Sequence, residues 1–281
     1  MFNGLFPYLK GDNMYLSIAV IGTGGTGAAF LSRFCQFLFG QDKERYHLSI
    51  CDGDTVELRN CERQAGFLPT DVGRSKSSLL AEVFNSMYSL DISYCTKYIE
   101  TIEDIDDLFV TKYGKCVKVL IGTVDNHAAR LVMDKYFRKA PGPILYIDSG
   151  NEFSNGQVVF GAKNAKGQIF SPPASEYFPE IKKGGISKKD EGCEAVNRSL
   201  PQHLAVNALA GVVLCSAICD LFANEKIPTG ITYFDCFQQF MRHDDVPEEY
   251  LERFKPKPRK KKASGKMPEK KAKPKKKAVS A

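Results

Sequence analysis

Short apolar runs alternate with stretches of helical spacing along most of the chain. Residues 14–22 are apolar and rich in branched side chains, which predicts a buried strand. Apolar side chains then recur about every 3.6 positions over residues 27–39, which predicts a helix. The same patterns predict strands over 46–54, 116–126 and 143–150, and helices over 71–88 and 127–139. Strands that alternate with helices indicate an α/β fold with a Rossmann-like, mostly parallel sheet and helices on both faces.

The C-terminal part of the chain shows a different pattern. Residues 156–164 predict a fifth strand, and residues 165–200, rich in Pro, Gly and Lys, predict a long, mobile crossing loop. Residues 201–224 predict a long helix. This helix carries Asn207 within its apolar stretch, so we expect it to be buried in the fold and not to span a membrane. A final strand is predicted over residues 230–237.

Charge is distributed unevenly along the 281 residues. Residues 255–281 hold 13 of the 39 Lys and Arg and one acid, Glu269, whereas residues 1–254 hold the other 26 cations and 32 acids. An acidic domain is therefore followed by a basic tail without an apolar pattern, and we expect the tail to be disordered. Two roles are left open for it: weak contact with nucleic acid or another polyanion, or solubility and the steering of an acidic partner.

Cysteine usage favours a cytoplasmic protein. The chain has nine cysteines, an odd number, and we see no secretory leader. A C-x-x-C pair is absent from the sequence, which argues against a zinc knuckle.

A glycine-rich turn is the first sign of chemistry. Gly22, Gly24, Gly25 and Gly27 form a G-x-G-G-x-G pattern between the first predicted strand and helix, where a backbone can approach a phosphate closely. Asp52 ends the second predicted strand, and an acid there suits a ribose hydroxyl. Proteins that bind NAD, FAD or ATP share this pattern, so it does not identify the ligand.

The segment that follows the second strand separates these ligands. Its candidate site residues are Asp54, Asn60, Arg63, Gln64 and Lys76. A dinucleotide site needs no such concentration of cations, whereas phosphoryl or nucleotidyl transfer from a triphosphate does, because Arg and Lys offset the charge of the transition state.

Several motifs in a fixed order resemble the adenylating domain of the ThiF/MoeB type, which ubiquitin-activating enzymes share. The segment from Asp52 has the pattern D-x-D-x-V-x-x-x-N-x-x-R-Q followed by G-x-x-K, and Asp125 begins D-N-x-x-x-R. The resemblance continues through IDSGNEFSNGQVVFG and GCEAV and covers about residues 18–235. By size and basic tail, the chain resembles compact bacterial ThiF-like proteins. Residues 1–254 would then be the adenylating domain.

The resemblance implies a role for each motif residue. The glycine turn would approach the phosphates of ATP, Asp52 would hold the ribose, and Asn60, Arg63 and Lys76 would surround the triphosphate. Asp125 would bind magnesium and Asn126 would help to place the nucleotide, with Gln64 packed nearby and Asp54 in a secondary role. Members of this family attack the α-phosphate of ATP with the C-terminal glycine carboxylate of a small ubiquitin-like or sulfur-carrier protein, which yields an acyl-adenylate.

Cys193 is a candidate acceptor of the acyl group. It lies in a polar segment beside Lys188 and Lys189, which favour the reactive thiolate. In the resembled family a cysteine at this point can form a thioester or persulfide link, and the alternative is a structural thiol. The family also implies a homodimer in which an N-terminal arginine reaches the partner's ATP site. Residues 1–16 contain Lys10 but no arginine, which leaves that contribution in doubt.

Three other functions stay open from the sequence. The glycine turn is compatible with an NAD(P)-dependent oxidoreductase. An adenylating enzyme could instead act on a small molecule or a tRNA base, which the basic tail would suit. A scaffold that keeps the fold without the chemistry is the third. Among carrier proteins, the loop cysteine favours a ubiquitin-like modifier.

Overall fold

A single mixed sheet organises the part of the chain that the structure describes. The computed structural model describes residues 15–62, 64–111, 116–185 and 204–254. The strands are β1 (Tyr15–Ile21), β2 (Tyr46–Cys51), β3 (Ile92–Cys95), β4 (Cys116–Gly122), β5 (Ile144–Asn151), β6 (Asn155–Lys163), β7 (Ile169–Ser171), β8 (Gly230–Asp235) and β9 (Phe240–Asp244). The helices are α1 (Gly25–Leu38), α2 (Lys76–Tyr88), α3 (Ile102–Asp106), α4 (His127–Lys139), α5 (Ala174–Tyr177), α6 (Leu204–Asn224) and α7 (Glu248–Phe254).

The strand order places a crevice at the centre of the sheet. The order is β3-β2-β1-β4-β5-β6-β8-β9, with β7 paired to β6. The strands β3, β2, β1, β4 and β5 run parallel, and β6 to β9 extend the sheet in antiparallel pairs. Connections from β1 lead to one side and those from β4 to the other, so the first turns of α1 and α4 flank a crevice beyond the carboxyl ends of the strands.

Alternate residues of β1 reach the two apolar layers that cover the sheet. Ile18 and Val20 pack into a large cluster with α1, α2 and α6, whereas Ala19 and Ile21 pack with α3 and α4 on the other face. A strand buried on both faces has the continuous apolar sequence that β1 shows. The predicted α/β fold with helices on both faces is therefore confirmed.

Helix α6 is packed against the rest of the fold. It is long and apolar enough to cross a membrane by length and composition, with a mean hydropathy of 2.0, yet half of its most apolar window is buried in the fold. Gly211 lets it approach α1 closely: a Cβ there would lie 2.7 Å from the backbone N of Phe30. Phe222 packs edge-on against Phe34, with ring centroids 6.2 Å apart. This close packing agrees with the predicted buried helix.

Residues 165–185 are more structured than the predicted mobile loop. They contain β7, α5 and a 3₁₀ turn at Pro179–Lys183. Ile181 packs with Val159 and Ile231, and Glu176 forms ion pairs with Arg138 and Lys182. Pro and Gly shape short packed turns here, and the sequence pattern did not reveal the apolar contacts behind them. Residues 186–200, the rest of the predicted loop, lie outside the described residues, as does the predicted tail of residues 255–281.

Helix α2 begins later than predicted. Residues 69–71 form a 3₁₀ turn, and α2 starts at Lys76 with Ser75 as its N-cap. Strands β3 and β9 and the short helices α3 and α7 were not predicted from the sequence, because segments this short carry little periodicity.

Candidate active site

A cavity of about 810 Å³ lies beyond the carboxyl ends of β1, β2, β4 and β5. It is lined by nine of the predicted site residues: Gly22, Gly24, Gly25, Asp52, Asp54, Gln64, Lys76, Asp125 and Asn126. Gly27 and Asn60 lie outside its wall. Arg63 and Cys193 lie outside the described residues. Segments separated by a hundred residues in sequence therefore meet at one crevice.

The glycine turn brings the start of α1 against this cavity. Gly22 has a φ of +93°, which side chains other than glycine rarely adopt, and a Cβ there would lie 2.7 Å from the carbonyl O of Thr123. A Cβ on Gly25 would collide with the amide of Asn207. Gly24 is open, with Gln64 Nε2 3.9 Å from the position of a Cβ. Gly27 packs against the carbonyl of Gly22, so it supports the turn instead of facing the cavity.

Asp52 is held at the cavity by three hydrogen bonds. Its Oδ2 accepts from Thr23 N at 2.6 Å and Thr23 Oγ1 at 3.0 Å, and its Oδ1 accepts from Asp54 N at 2.9 Å. Burial raises the pKa of Asp52 above its ordinary value, the nearby Asp54 carboxylate raises it further, and Lys76 opposes the shift. The carboxylate is thus fixed in orientation. A group that accepts hydrogen bonds from the hydroxyls of a ligand needs such a fixed orientation.

Lys76 is a buried cation beside Asp54. Its residue is 5% exposed, and its Nζ donates to Asp54 Oδ2 at 3.1 Å. The other oxygen of Asp54 accepts from Tyr98 OH at 2.5 Å. An ammonium that contacts one carboxylate keeps further N–H donors. Because Lys76 lines the cavity, these donors are available to an anionic ligand.

The beginning of α2 is tied to the end of β2, which explains the position of Lys76. The backbone N of Lys76 donates to the carbonyl of Asp54 at 3.1 Å. Ser77 Oγ donates to the carbonyls of Asp52 at 3.2 Å and Cys95 at 2.9 Å. These contacts hold the first turn of α2 against the acidic segment.

Asn126, and not Asp125, is the N-cap of α4. Its Oδ1 accepts from Ala129 N at 2.8 Å, which satisfies one of the free amides at the start of the helix. Asp125 instead is exposed and lines the cavity. No cluster of three or more possible metal ligands occurs among the described residues. A single carboxylate fits Mg²⁺, which is usually held by one or two carboxylates together with phosphates and waters.

Asn60 has a structural role in the loop after β2. It is buried, and its Oδ1 accepts from Glu57 N at 2.8 Å, which closes the 3₁₀ turn at Leu58–Asn60. Its expected contact with a triphosphate stays a prediction.

Arg130 connects three elements beneath the cavity. Its Nε donates to Asp148 Oδ2 at 3.2 Å, and its second guanidinium nitrogen donates to the carbonyls of Val124 at 2.7 Å and Ser149 at 3.0 Å. Burial raises the pKa of Asp148, and Arg130 opposes that shift. The arginine of the D-N-x-x-x-R motif therefore fixes α4 and the loop between β4 and α4 to β5.

A polar cluster of Thr26, Asn151 and Asn207 was not foreseen from the sequence. Asn151 Nδ2 donates to Thr26 Oγ1 at 2.7 Å and to Asn207 Oδ1 at 3.2 Å, and Thr26 Oγ1 donates to Asn207 Oδ1 at 3.1 Å. These bonds hold α1, β5 and α6 together under the glycine turn. The available signal was Asn207 itself, because a buried polar side chain in an apolar helix requires a partner.

Two polar atoms in the cavity wall lack a hydrogen-bond partner in the part of the chain that the structure describes. Gln64 Oε1 and His127 Nδ1 are buried and make no hydrogen bond with the described residues. Buried polar atoms in native proteins are nearly always satisfied, by protein, water or ligand. The orphan atoms are consistent with a polar ligand or ordered water at this wall.

The fold and this crevice together define an α/β domain of the nucleotide-binding type. The chain belongs to the ThiF family, since the ThiF family model matches residues 14–262. It is 27% identical to ubiquitin-activating enzyme E1 1 of Candida albicans over 51% of this chain and 14% of that protein. It is 25% identical to SUMO-activating enzyme subunit uba-2 of Caenorhabditis elegans, over 57% of this chain and 26% of that protein.

Solved structures show the same fold. E. coli MccB with AMPCPP and MccA has a TM-score of 0.58 at 15% identity, covering 82% of this chain and 63% of that one. E. coli MccB with ATP has a TM-score of 0.57 at 15% identity, with the same coverage. PaaA has a TM-score of 0.54 at 14% identity, over 82% of this chain and 64% of that one. The chain spans less than two thirds of each of these structures and about a quarter or less of the two curated relatives above.

Proposed function

We propose that this protein uses ATP to adenylate the C-terminal glycine carboxylate of a ubiquitin-like or sulfur-carrier protein. The observation that carries the proposal is the convergence of the glycine turn, Asp52 and Lys76 on one cavity. Membership of the ThiF family supports adenylation over hydride transfer. Relatives named as ubiquitin-activating and SUMO-activating enzymes support a protein substrate, and the structure of MccB with ATP supports the nucleotide.

In the proposed reaction, the chain mainly positions two anions. The glycine turn admits the phosphates, and Asp52 accepts from the ribose hydroxyls. A carboxylate oxygen of the substrate forms a bond to the α-phosphorus, and the bond from that phosphorus to the bridging oxygen breaks as pyrophosphate leaves. The attacking carboxylate is already ionised, so no protein base is required. Lys76 and Arg63 offset the charge of the phosphates, in the manner of preorganised cations at other phosphoryl-transfer sites.

Asp125, with Asn126 beside it, is the proposed metal-binding position. Magnesium at this carboxylate would neutralise phosphate charge as a hard cation. Asp54 holds Lys76 in place, and Gln64 lies beside the glycine turn, where its unpaired oxygen can accept from a ligand or water.

ATP–pyrophosphate exchange tests the proposed function. Purified ubiquitin-fold proteins ending in glycine are the probes, and the same proteins with a C-terminal carboxamide are controls. We expect at least one free carboxylate to stimulate exchange, whereas the carboxamide form does not, because it lacks the nucleophile. An absence of stimulation together with NADH binding would indicate the alternative oxidoreductase.

Transfer of the acyl group to Cys193 is a proposed second step. The thiolate sulfur would attack the acyl carbon and release AMP, leaving a thioester. Gly185 is a described residue that lies near the cavity: a Cβ built on it would lie 3.9 Å from the Cβ of His127, which lines the cavity. Cys193 itself lies outside the described residues. We expect a thiol-sensitive adduct of the carrier protein with the wild type and with Cys236→Ser, but not with Cys193→Ser. An adduct that persists in Cys193→Ser would contradict this step.

The remaining expectations concern assembly and location. We propose a homodimer, and Leu204 and Val212 on the outer side of α6 supply exposed apolar surface for contact with a second copy. Lys10, the substitute considered for a trans-acting arginine, lies outside the described residues. We also propose a cytoplasmic location, which rests on the sequence alone. For the basic tail we propose weak polyanion contact.

A further inference from the structure

Part of the cavity lining has a different chemistry from the glycine turn, Asp52 and Lys76. This part includes Phe153, Phe178 and Ile181, together with Glu152 and Glu180. Phe178 and Ile181 are held in place because they pack with Val159 and Ile231 of the antiparallel strands. An apolar, partly acidic wall does not suit a triphosphate, so this side of the cavity is suited to another part of the reaction.

An exposed aromatic pair continues this wall out of the cavity. We name Phe153 and Phe237 the aromatic rim; they are 46% and 59% exposed. Their rings meet edge-on, with centroids 5.8 Å apart and planes at 71°. Phe153 lines the cavity, whereas Phe237 lies beyond it.

The two hairpin turns that carry the aromatic rim are hydrogen-bonded to each other and internally. Cys236 N donates to the carbonyl of Ser154 at 2.8 Å, which joins the β8–β9 turn to the β5–β6 turn. Asp235 Oδ1 accepts from the backbone N of Phe237 at 2.8 Å. Turns of this kind usually present small polar residues, so exposed phenylalanines at both tips mark a contact surface.

We propose that the aromatic rim binds the C-terminal segment of a polypeptide substrate through an apolar side chain that precedes its terminal carboxylate. This inference rests on the proposed function, because it assigns the carboxylate to the adenylation site. A small acid inside the cavity would not reach Phe237. A polypeptide tail that enters past Phe153 contacts both rings, since an extended chain advances about 3.3 Å per residue.

Peptide binding tests this surface directly. The probes are fluorescein-labelled hexapeptides that end in glycine with a free carboxylate: an all-Ser parent and five versions in which a single Leu occupies each preceding position. Their dissociation constants are measured by fluorescence anisotropy with the full chain saturated with AMPCPP and Mg²⁺. Phe237→Ala removes the outer ring, and Phe39→Ala removes a phenyl group that is 67% exposed at the end of α1, away from the cavity.

We expect at least one of the five Leu-containing peptides to bind the wild type and Phe39→Ala about tenfold more tightly than the all-Ser parent does. In Phe237→Ala this gain falls to about twofold or less. The inference is overturned if no peptide binds, if Leu gives no gain, or if the gain survives in Phe237→Ala. Binding of a fluorescent ATP analogue separates the two proposals: unchanged nucleotide binding without a Leu preference removes only the aromatic-rim inference, whereas failure to bind nucleotide removes the proposed function.

Discussion

Lys76→Met is expected to lower the rate of carboxylate-dependent ATP–pyrophosphate exchange by about 10²–10³-fold, the usual effect of removing one preorganised charge-stabilising group. Lys76 is buried, lines the cavity and is fixed by Asp54 and by the first turn of α2. Its ammonium is therefore in place before the substrate binds, and a solvent cation does not replace it at equal strength. The measurement is the initial rate of exchange at saturating ATP and carrier protein.

Lys166→Met is the matched control for this change. Lys166 is an exposed lysine near the β6–β7 turn, away from the cavity lining. We therefore expect the exchange rate of Lys166→Met to equal that of the wild type. Circular dichroism should show that both variants are folded. A rate for Lys76→Met within threefold of the wild type would remove Lys76 from the proposed chemistry.

Arg130→Met is expected to lower the free energy of unfolding by about 3–5 kcal/mol, the cost of leaving one partner of a buried ion pair alone. The change leaves the Asp148 carboxylate buried without its cation and removes donors from the carbonyls of Val124 and Ser149. Equilibrium unfolding in urea measures the effect. Asp148→Asn in the same background should recover part of the loss, because it removes the unpaired charge.

Arg59→Met provides the comparison for an exposed ion pair. Arg59 Nε lies 2.6 Å from Glu57 Oε2, and both side chains are more than 40% exposed. Exposed pairs contribute about 0–1 kcal/mol, so this variant should unfold close to the wild type. Equal losses for Arg59→Met and Arg130→Met would show that Arg130 has no special structural role.

The sequence predicted the nucleotide side of the crevice because its signals are local. The glycine turn and Asp52 each follow a buried strand, and strands that run parallel bring their carboxyl ends to one edge of the sheet. The structure accordingly places Gly24, Asp52 and Lys76 on the same cavity. Their chemical roles remain predictions until a nucleotide is observed there.

The other side of the crevice depends on contacts between distant segments. Asn151 is hydrogen-bonded to Thr26, although 125 residues separate them in sequence, and no periodicity near either residue predicts that bond. The aromatic rim likewise depends on the pairing of β6 with β8, which sets two turns side by side. The exposed strand β9 lacks an alternating burial pattern, so its sequence gave little sign of a strand.

A crystal structure of the full chain with AMPCPP and Mg²⁺ tests the central claim most directly. We expect the triphosphate at the start of α1 beside Gly24 and Gly25, with Lys76 Nζ within 3.5 Å of a phosphate oxygen and Asp52 bonded to the ribose. A nucleotide bound elsewhere, or Lys76 and Asp52 without contact to it, would contradict the account.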